Sequence, residues 1–192
     1  MISIVGNIAS GKSTLLRNLA QKGFEVLQEP VSDWKFLPKF YEDPKRWCFA
    51  LQIEILQSFS MMQMEGKIIE RSPFEANKIF AFNSFRNGCL TSEEYELIDK
   101  ISSVHEMPKE FVYINLPPET CMQRLKQRKR ECEADVSISY LRDLHHLYES
   151  LIEKLESDGL KVHRIDGLKT ENEIYRDVIF RLQTEHQFAR AH

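Results

Sequence analysis

The chain has 192 residues, 42% hydrophobic and 29% charged, which is enough for one well-buried core and too little for two comfortable domains. The formal net charge of −3 argues against a general attraction to nucleic acid, so we expect no nucleic-acid partner. No apolar run approaches the roughly 18 residues of a membrane span, so we expect no membrane partner either.

A glycine-rich stretch follows directly on the first predicted strand, residues 1–5, and fits the spacing of a phosphate-binding P-loop. In such a loop, backbone N–H groups at a helix N-terminus point at phosphate oxygens. Lys12 would reach the β- and γ-phosphates and the Ser13 hydroxyl would help to hold Mg²⁺. An ordinary glycine turn is the alternative. The residues expected to bind the nucleoside triphosphate are Gly6, Asn7, Ile8, Ala9, Ser10, Gly11, Lys12, Ser13 and Thr14.

Short apolar runs alternate with helical stretches along the rest of the chain. The other predicted strands are 24–28, 66–70, 110–116 and 160–165. The predicted helices are 11–21, 43–64, 72–86, 91–105, 117–130, 137–157 and 170–185. This alternation indicates an α/β fold with a parallel sheet covered on both faces, whose ligands bind beyond the carboxyl ends of the strands.

Acidic side chains follow the second and third predicted strands. Pro30 favours an extended backbone at Glu29, which would present this carboxylate to the cleft, where it could accept a proton from an attacking hydroxyl. A solvated loop acid is the alternative for Glu29. Glu70 ends its strand as a Walker-B-like acid would and could hold Mg²⁺, while Arg71 could orient Glu29 or screen the phosphates.

These segments as a set resemble the deoxyribonucleoside kinases over nearly the whole chain. The resemblance rests on the P-loop, Glu29-Pro30-Val31 with Trp34, Tyr41-Glu42-Asp43-Pro44 with Trp47 and Gln52, Glu70-Arg71-Ser72, and the arginines Arg128 and Arg130. It implies the P-loop kinase three-layer fold, with a five-stranded parallel sheet flanked by helices. It also implies transfer of the γ-phosphate of ATP to the 5′-hydroxyl of a deoxynucleoside.

The resemblance further assigns roles to single positions, with Glu29 similar to the family's general base and Arg71 to its partner. The side-by-side donor and acceptor of an amide suit a pyrimidine edge, and aromatic faces stack on bases. Core packing is the alternative for each aromatic residue. The implied nucleoside contacts are Gln52 at the base edge, Trp34 and Phe80 beside the base, and Tyr41 with Glu133 at the 3′-hydroxyl.

Base preference follows from three further positions. Family members that prefer deoxycytidine or purines resemble one another in an Arg and an Asp near the base, where this chain has Phe59 and Ala76. The thymidine-accepting branch is similar in lacking that pair, and an apolar pocket suits a methylated pyrimidine. Ile55 and Phe59 are bulkier than the residues often found in that branch, which argues against purines. The resemblance therefore implies thymidine first, with deoxycytidine or deoxyuridine next.

Basic residues alternate near the end of the predicted helix 117–130, at Arg124, Lys126, Arg128 and Arg130. Alternate residues of a helix point about 200° apart, so they can face one phosphate chain only if the segment unwinds. We therefore predict a lid at about residues 124–134 that closes over the triphosphate, with Arg128 and Arg130 screening the transition-state charge. A solvated basic helix end is the alternative.

The predicted helix 43–64 is apolar around most of its circumference, with Gln52, Ile55 and Phe59 on one side and Leu51 and Met61 on others. Such a helix needs partners on two sides, and the family is typically dimeric through helices of this kind, which implies a homodimer.

Four cysteines, at 48, 89, 121 and 132, form neither a CxxC pair nor a metal-ligand pattern, which is typical of thiols in a reducing compartment. Because the P-loop begins at residue 6, we expect no cleaved targeting segment, a cytoplasmic location and one domain over residues 1–192.

Other functions remain open. A nucleoside monophosphate kinase shares the fold and the reaction type, but it needs a basic site for the acceptor phosphate, whereas Glu29, Gln52 and Tyr41 suit a neutral sugar. A GTP-dependent switch usually reads guanine with Asn-Lys-x-Asp, and the stretch Asn77-Lys78-Ile79-Phe80 ends in Phe. A nucleotide-gated interaction protein without turnover is the alternative from another class.

Overall fold

A computed structural model describes residues 1–130, 133 and 135–188. The five strands form one parallel sheet in the order β2-β3-β1-β4-β5, which confirms the predicted α/β fold and its five-stranded sheet. The strands are β1 Ile2–Val5, β2 Val26–Leu27, β3 Ile68–Glu70, β4 Glu110–Asn115 and β5 Lys161–Asp166.

Helices cover both faces of this sheet and give the molecule three layers. A 3₁₀ turn at Val31–Asp33 and a π-helical segment at Ala76–Ala81 accompany them. Within the described residues, no helix has both the length and the apolar character of a membrane span. The helices are α1 Lys12–Gln21, α2 Phe36–Glu42, α3 Pro44–Ser60, α4 Pro73–Glu75, α5 Phe82–Arg86, α6 Ser92–Ser102, α7 Pro118–Arg128, α8 Ile138–Ser157 and α9 Glu171–Phe188.

The strand β4, which lies between β1 and β5, shows how the three layers form. Phe111 and Tyr113 pack against α7 and α8, whereas Val112 and Ile114 point to the other face and pack against α1 and α9. All four side chains are at most 1% exposed. A parallel strand that is buried on both faces is a continuous apolar run, which is why the sequence pattern identifies β4 so directly.

Several elements differ from their predictions. The predicted helix 72–86 is divided into α4, the π-helical segment Ala76–Ala81 and α5. Helix α2 is not predicted from the sequence, because Pro38 interrupts the helical pattern, although proline is tolerated in the first turn of a helix. Helix α3 begins as expected, where the Asp43 side chain accepts a hydrogen bond from the Arg46 backbone N–H. It ends at Ser60, four residues before the predicted boundary, and Met61 is 83% exposed.

Candidate active site

A cavity of about 600 Å³ opens at the carboxyl ends of the strands, where the parallel sheet predicts it. Most of the predicted site residues line its walls. The exceptions in the P-loop are Gly6, Asn7 and Ser10, which lie beneath the surface of the loop. Phe59 is the other exception: it is 2% exposed and packs in the core with Ile55, so it backs the wall rather than facing a ligand.

Glycine is required at both ends of the P-loop. Gly6 has φ +143°, and a Cβ added there would lie 2.7 Å from the carbonyl oxygen of Ile114 on the neighbouring strand. Gly11 has φ +105° immediately before α1. An L side chain rarely adopts these conformations, so the loop can approach β4 and turn into the helix only with glycine in place.

Lys12 is buried under the loop. It is 4% exposed, and its Nζ donates a hydrogen bond of 2.7 Å to the carbonyl oxygen of Asn7. Burial, with a smaller contribution from Arg71, lowers the pKa of Lys12 to about 7. A polyphosphate chain in the loop would favour the charged ammonium, so ligand charge and Lys12 protonation are coupled.

Ser13 and Glu70 form the pair predicted to hold Mg²⁺. The Ser13 hydroxyl donates a hydrogen bond of 2.8 Å to Glu70 Oε1, and Glu70 is 6% exposed. Mg²⁺ prefers oxygen ligands and is usually held by one or two protein groups together with phosphates and water. Across the residues the structure describes, no cluster of three or more His, Cys, Asp or Glu side chains could hold a metal alone. The pair therefore fits a magnesium ion that arrives with a nucleotide.

Glu29 and Arg71 form a buried ion pair in the same cavity, with side chains 4% and 9% exposed. Burial raises the pKa of Glu29 above its usual range, which makes it a stronger base, while the Arg71 charge opposes this shift. Arg71 is itself held on three sides. Its Nε donates to the Tyr148 hydroxyl at 3.3 Å, its Nη2 donates to Gly6 O at 3.4 Å, and its guanidinium lies 4.7 Å from the Phe80 ring centre.

Gln52 is a buried amide with an unused acceptor. The residue is 3% exposed and lines the cavity from α3, yet its Oε1 has no hydrogen-bond partner among the described residues. A buried acceptor without a partner costs about 1–3 kcal/mol. A ligand that donates a hydrogen bond would remove this cost. Trp34 stands nearby in the cavity wall, anchored by its Nε1 hydrogen bond of 3.2 Å to Ser58 Oγ.

The predicted unwinding begins later than expected: α7 stays helical through Arg128, so residues 124–128 of the predicted lid are not unwound, and Lys129, with φ +51°, ends the helix. Arg128, the last residue of α7, and Arg130 converge on Glu133. Arg128 donates to Glu133 Oε1 at 2.6 Å, and Arg130 lies 3.5 Å from the same oxygen. Residues 131, 132 and 134 of the predicted lid lie outside the described residues.

Arg124, which the sequence pattern groups with the lid, has a different place. Its two terminal nitrogens donate to the carbonyl oxygens of Ser10, at 3.3 Å, and Gly167, at 3.0 Å. The side chain therefore ties the P-loop to the segment after β5.

Several cavity residues escape the sequence analysis, and four of them show why. Leu37 and Phe40 come from α2, the helix that the sequence does not predict, and Lys169 comes from the segment after β5. Tyr140 lines the cavity from the first turn of α8, and burial raises its pKa well above 10. No local motif marks Tyr140, because only the docking of α8 on the sheet brings it to the site.

A P-loop, a buried carboxylate–arginine pair and converging arginines at the carboxyl edge of a parallel sheet define a P-loop kinase. A family model for deoxynucleoside kinases matches residues 2–186. The chain is 31% identical to the thymidine kinase of Ictalurid herpesvirus 1 (strain Auburn), over 98% of this chain and 88% of that protein. The chain therefore belongs to the deoxynucleoside kinase family.

A second relative agrees with this assignment, and a solved structure shares the fold. The chain is 34% identical to the mitochondrial thymidine kinase 2 of Homo sapiens over 80% of its length, and the match spans 64% of that protein. The fold matches that of the deoxyadenosine kinase from M. mycoides with a TM-score of 0.86 and 23% identity, covering 95% of this chain and 98% of that one. The relatives thus carry the names of different nucleosides.

Proposed function

We propose that this enzyme transfers the γ-phosphate of ATP to the 5′-hydroxyl of a pyrimidine deoxynucleoside, with thymidine preferred and deoxycytidine or deoxyuridine accepted next. The observation that carries the proposal is the position of Glu29, a buried carboxylate that shares one cavity with Lys12 and with the unused acceptor of Gln52. Such a transfer needs a loop that binds the phosphates, a general base that accepts the proton of the 5′-hydroxyl, and a side chain that recognises the nucleobase.

In the proposed mechanism, Glu29 accepts the 5′-hydroxyl proton as that oxygen attacks the γ-phosphorus. Arg71 holds the carboxylate in place through their ion pair. Lys12, Arg128 and Arg130 offset the charge that develops on the phosphate oxygens. Ser13 and Glu70 would hold Mg²⁺, which supplies further charge neutralisation at the phosphates.

The rest of the cavity suits the neutral part of the substrate. Apolar residues of one cluster line it beside Gln52, including Trp34, Ile55 and Ala76, and they would accommodate the thymine methyl group. Phe80 would flank the base from the π-helical segment. Tyr41 and Glu133, which both line the cavity, would hold the 3′-hydroxyl. The relatives from Ictalurid herpesvirus 1 and Homo sapiens bear the name thymidine kinase, which supports the same preference.

A panel of acceptors tests the proposal. With ATP as donor, we expect kcat/KM to be highest for thymidine and lowest for deoxyadenosine and deoxyguanosine. Gln52→Leu should lower kcat/KM for thymidine by about 10- to 100-fold, because it removes hydrogen bonds in a buried site. Gln57→Leu, an exposed position on the same helix, is the matched control.

Three other outcomes of this panel would contradict part or all of the proposal. A purine deoxynucleoside with the highest kcat/KM would contradict the base preference. Turnover of thymidine monophosphate but not of thymidine would favour a nucleoside monophosphate kinase. ATP binding without any product would favour a nucleotide-gated interaction protein.

We also propose a homodimer, although part of the apolar surface of α3 is covered within the chain. Phe40 of α2 and Ile98 of α6 pack in the same cluster as Leu51 and Leu56 of α3, whereas Met61 at the helix end is 83% exposed. Light scattering at micromolar concentration should give twice the 22.6 kDa of one chain. A mass of 22.6 kDa at micromolar concentration would contradict the dimer.

Three further proposals concern the domain organisation, the lid and the location of the protein. We propose that residues 1–192 form one domain, since the five strands share one sheet. The segment 124–134 would close as a lid, because Arg128 and Arg130 already converge beside the cavity. A cytoplasmic location is supported by the thiols at Cys48, Cys89 and Cys121, which are free within the described part of the chain.

A further inference from the structure

Glu75 is a buried carboxyl group that the proposed mechanism does not use. It lies on α4, is 1% exposed and does not line the cavity. Two hydroxyls donate to its Oε2, from Ser3 on β1 at 2.6 Å and from Ser72 at 2.8 Å. Its Oε1 has no partner among the described residues. Because burying a carboxyl group with one oxygen unsatisfied is costly, its position calls for a physical reason.

The turn after β3 supplies that reason. Arg71 has φ +58°, a left-handed conformation that costs a non-glycine residue roughly 1–3 kcal/mol and persists only where the surroundings hold it. On one side, the Arg71 backbone N–H donates to Ile4 O at 3.1 Å. On the other side, the next residue, Ser72, is held through its hydroxyl by Glu75. The conformation of Arg71 is thus clamped between β1 and Glu75.

We propose that Glu75 is a positioning residue for the Glu29–Arg71 pair. Acting through Ser72, it holds the backbone conformation that directs the Arg71 guanidinium at the Glu29 carboxylate. This inference rests on the role proposed for Glu29 above. Without the Ser72 contact, the turn relaxes toward ordinary backbone angles and the guanidinium leaves its place beside Glu29.

Ser3 provides an internal control for this proposal. Its hydroxyl donates to the same oxygen of Glu75 as the Ser72 hydroxyl does, and both serines are fully buried. Ser3 lies in β1, however, and not in the turn that carries Arg71. Removing either hydroxyl deprives Glu75 of one hydrogen bond, but only the loss at Ser72 releases the turn.

The environment of Glu75 adds a pH signature. Burial raises its pKa to about 7, against the opposing effect of the two serine hydroxyls and of Arg71. Glu29 and Tyr148 are the other titratable groups that act on it. Between the ordinary value of 4.5 and about 7, the folded protein binds more protons here than the unfolded chain, so this group's contribution to stability falls as pH rises. Glu75→Gln removes that fall. The thermal midpoint of this variant should therefore rise relative to that of the wild type as the pH increases from about 5 to about 8.

Steady-state kinetics of single variants, with thermal unfolding of each, test the proposal. Ser72→Ala should lower kcat for thymidine by about 10- to 100-fold, the cost of a misplaced catalytic group, with KM for ATP changed less than about twofold. Ser3→Ala should keep kcat within about twofold of the wild type. Its thermal midpoint should nevertheless fall by about as much as that of Ser72→Ala, because each variant removes one hydrogen bond to Glu75. Glu75→Gln should retain most of the kcat, because an amide oxygen also accepts the Ser72 hydrogen bond.

Equal kcat values for Ser72→Ala and Ser3→Ala would overturn the proposal, because a purely structural carboxyl group loses the same support in both. Glu75→Ala should lower kcat as much as Ser72→Ala does. The double variant that combines Ser72→Ala with Glu75→Ala should have a kcat no lower than that of either single variant. If Glu75→Ala does not fold, the comparison of the two serine variants still decides. An active Glu29→Gln variant would instead refute the proposed base, which is a separate result.

Discussion

Glu29→Gln should lower kcat for thymidine phosphorylation by about 10²–10⁴-fold, the usual effect of removing a general base. The amide has nearly the same shape as the carboxylate and can still accept a hydrogen bond from Arg71, so the cavity should keep its form. KM for ATP should change little, because Lys12 and the P-loop are untouched. Steady-state kinetics with both substrates measure this split between kcat and KM.

The pH dependence of the rate gives a second test of Glu29. Because burial raises its pKa, the carboxylate is protonated at a higher pH than an ordinary Glu, and the wild-type rate should fall as the pH decreases through that range. The residual rate of Glu29→Gln should lack this fall. Glu25→Gln, an exposed acid four residues earlier, serves as the control and should behave as wild type. Near-normal turnover by Glu29→Gln would remove Glu29 from its proposed role.

Arg71→Met should have the largest effect on stability, about 3–5 kcal/mol of unfolding free energy, because it leaves the Glu29 charge buried without its partner. Turnover should be lost as well, since the base then has no group to orient it. Urea denaturation measures the change in stability, provided that the slope with denaturant stays constant.

Two variants separate this interpretation from a general packing defect. Adding Glu29→Gln to Arg71→Met should restore part of the stability, because no buried charge then remains unpaired. Arg142→Met breaks an exposed ion pair, in which Arg142 and Glu119 are 54% and 57% exposed, and should cost at most about 1 kcal/mol. Simple addition of the Glu29 and Arg71 effects would argue against a role for the unpaired charge.

Features that depend on neighbouring residues are the ones that the sequence predicts well. The P-loop needs glycine at two positive-φ positions, a lysine and a hydroxyl within a few residues, and all of these stand together in the chain. The strand β4 is buried on both faces, and its residues 111–114 form a continuous apolar run. The end of α7 at Arg128 lies two residues before the predicted boundary at 130.

Features that depend on packing escape the sequence pattern. Helix α2 contains Pro38 and forms against α3, so its cavity residues Leu37 and Phe40 are invisible to local periodicity. Phe59 lies on the same side of α3 as Gln52 and Ile55, yet the depth of α3 in the core takes its ring away from the cavity wall. Tyr140 reaches the site only because α8 docks on the sheet.

The amino-acid sequence by itself determined the kinds of chemical group present and the short-range geometry of the phosphate loop, because rise, twist and backbone angles relate residues a few positions apart. Tertiary structure alone decided which groups meet. The strand order β2-β3-β1 brings Glu29 to Arg71, Glu70 to Ser13 and Ser3 to Glu75, although each pair is more than forty positions apart. Burial of these pairs sets the raised pKa values of Glu29 and Glu75, since desolvation depends on everything packed around a group and not on its neighbours in the chain.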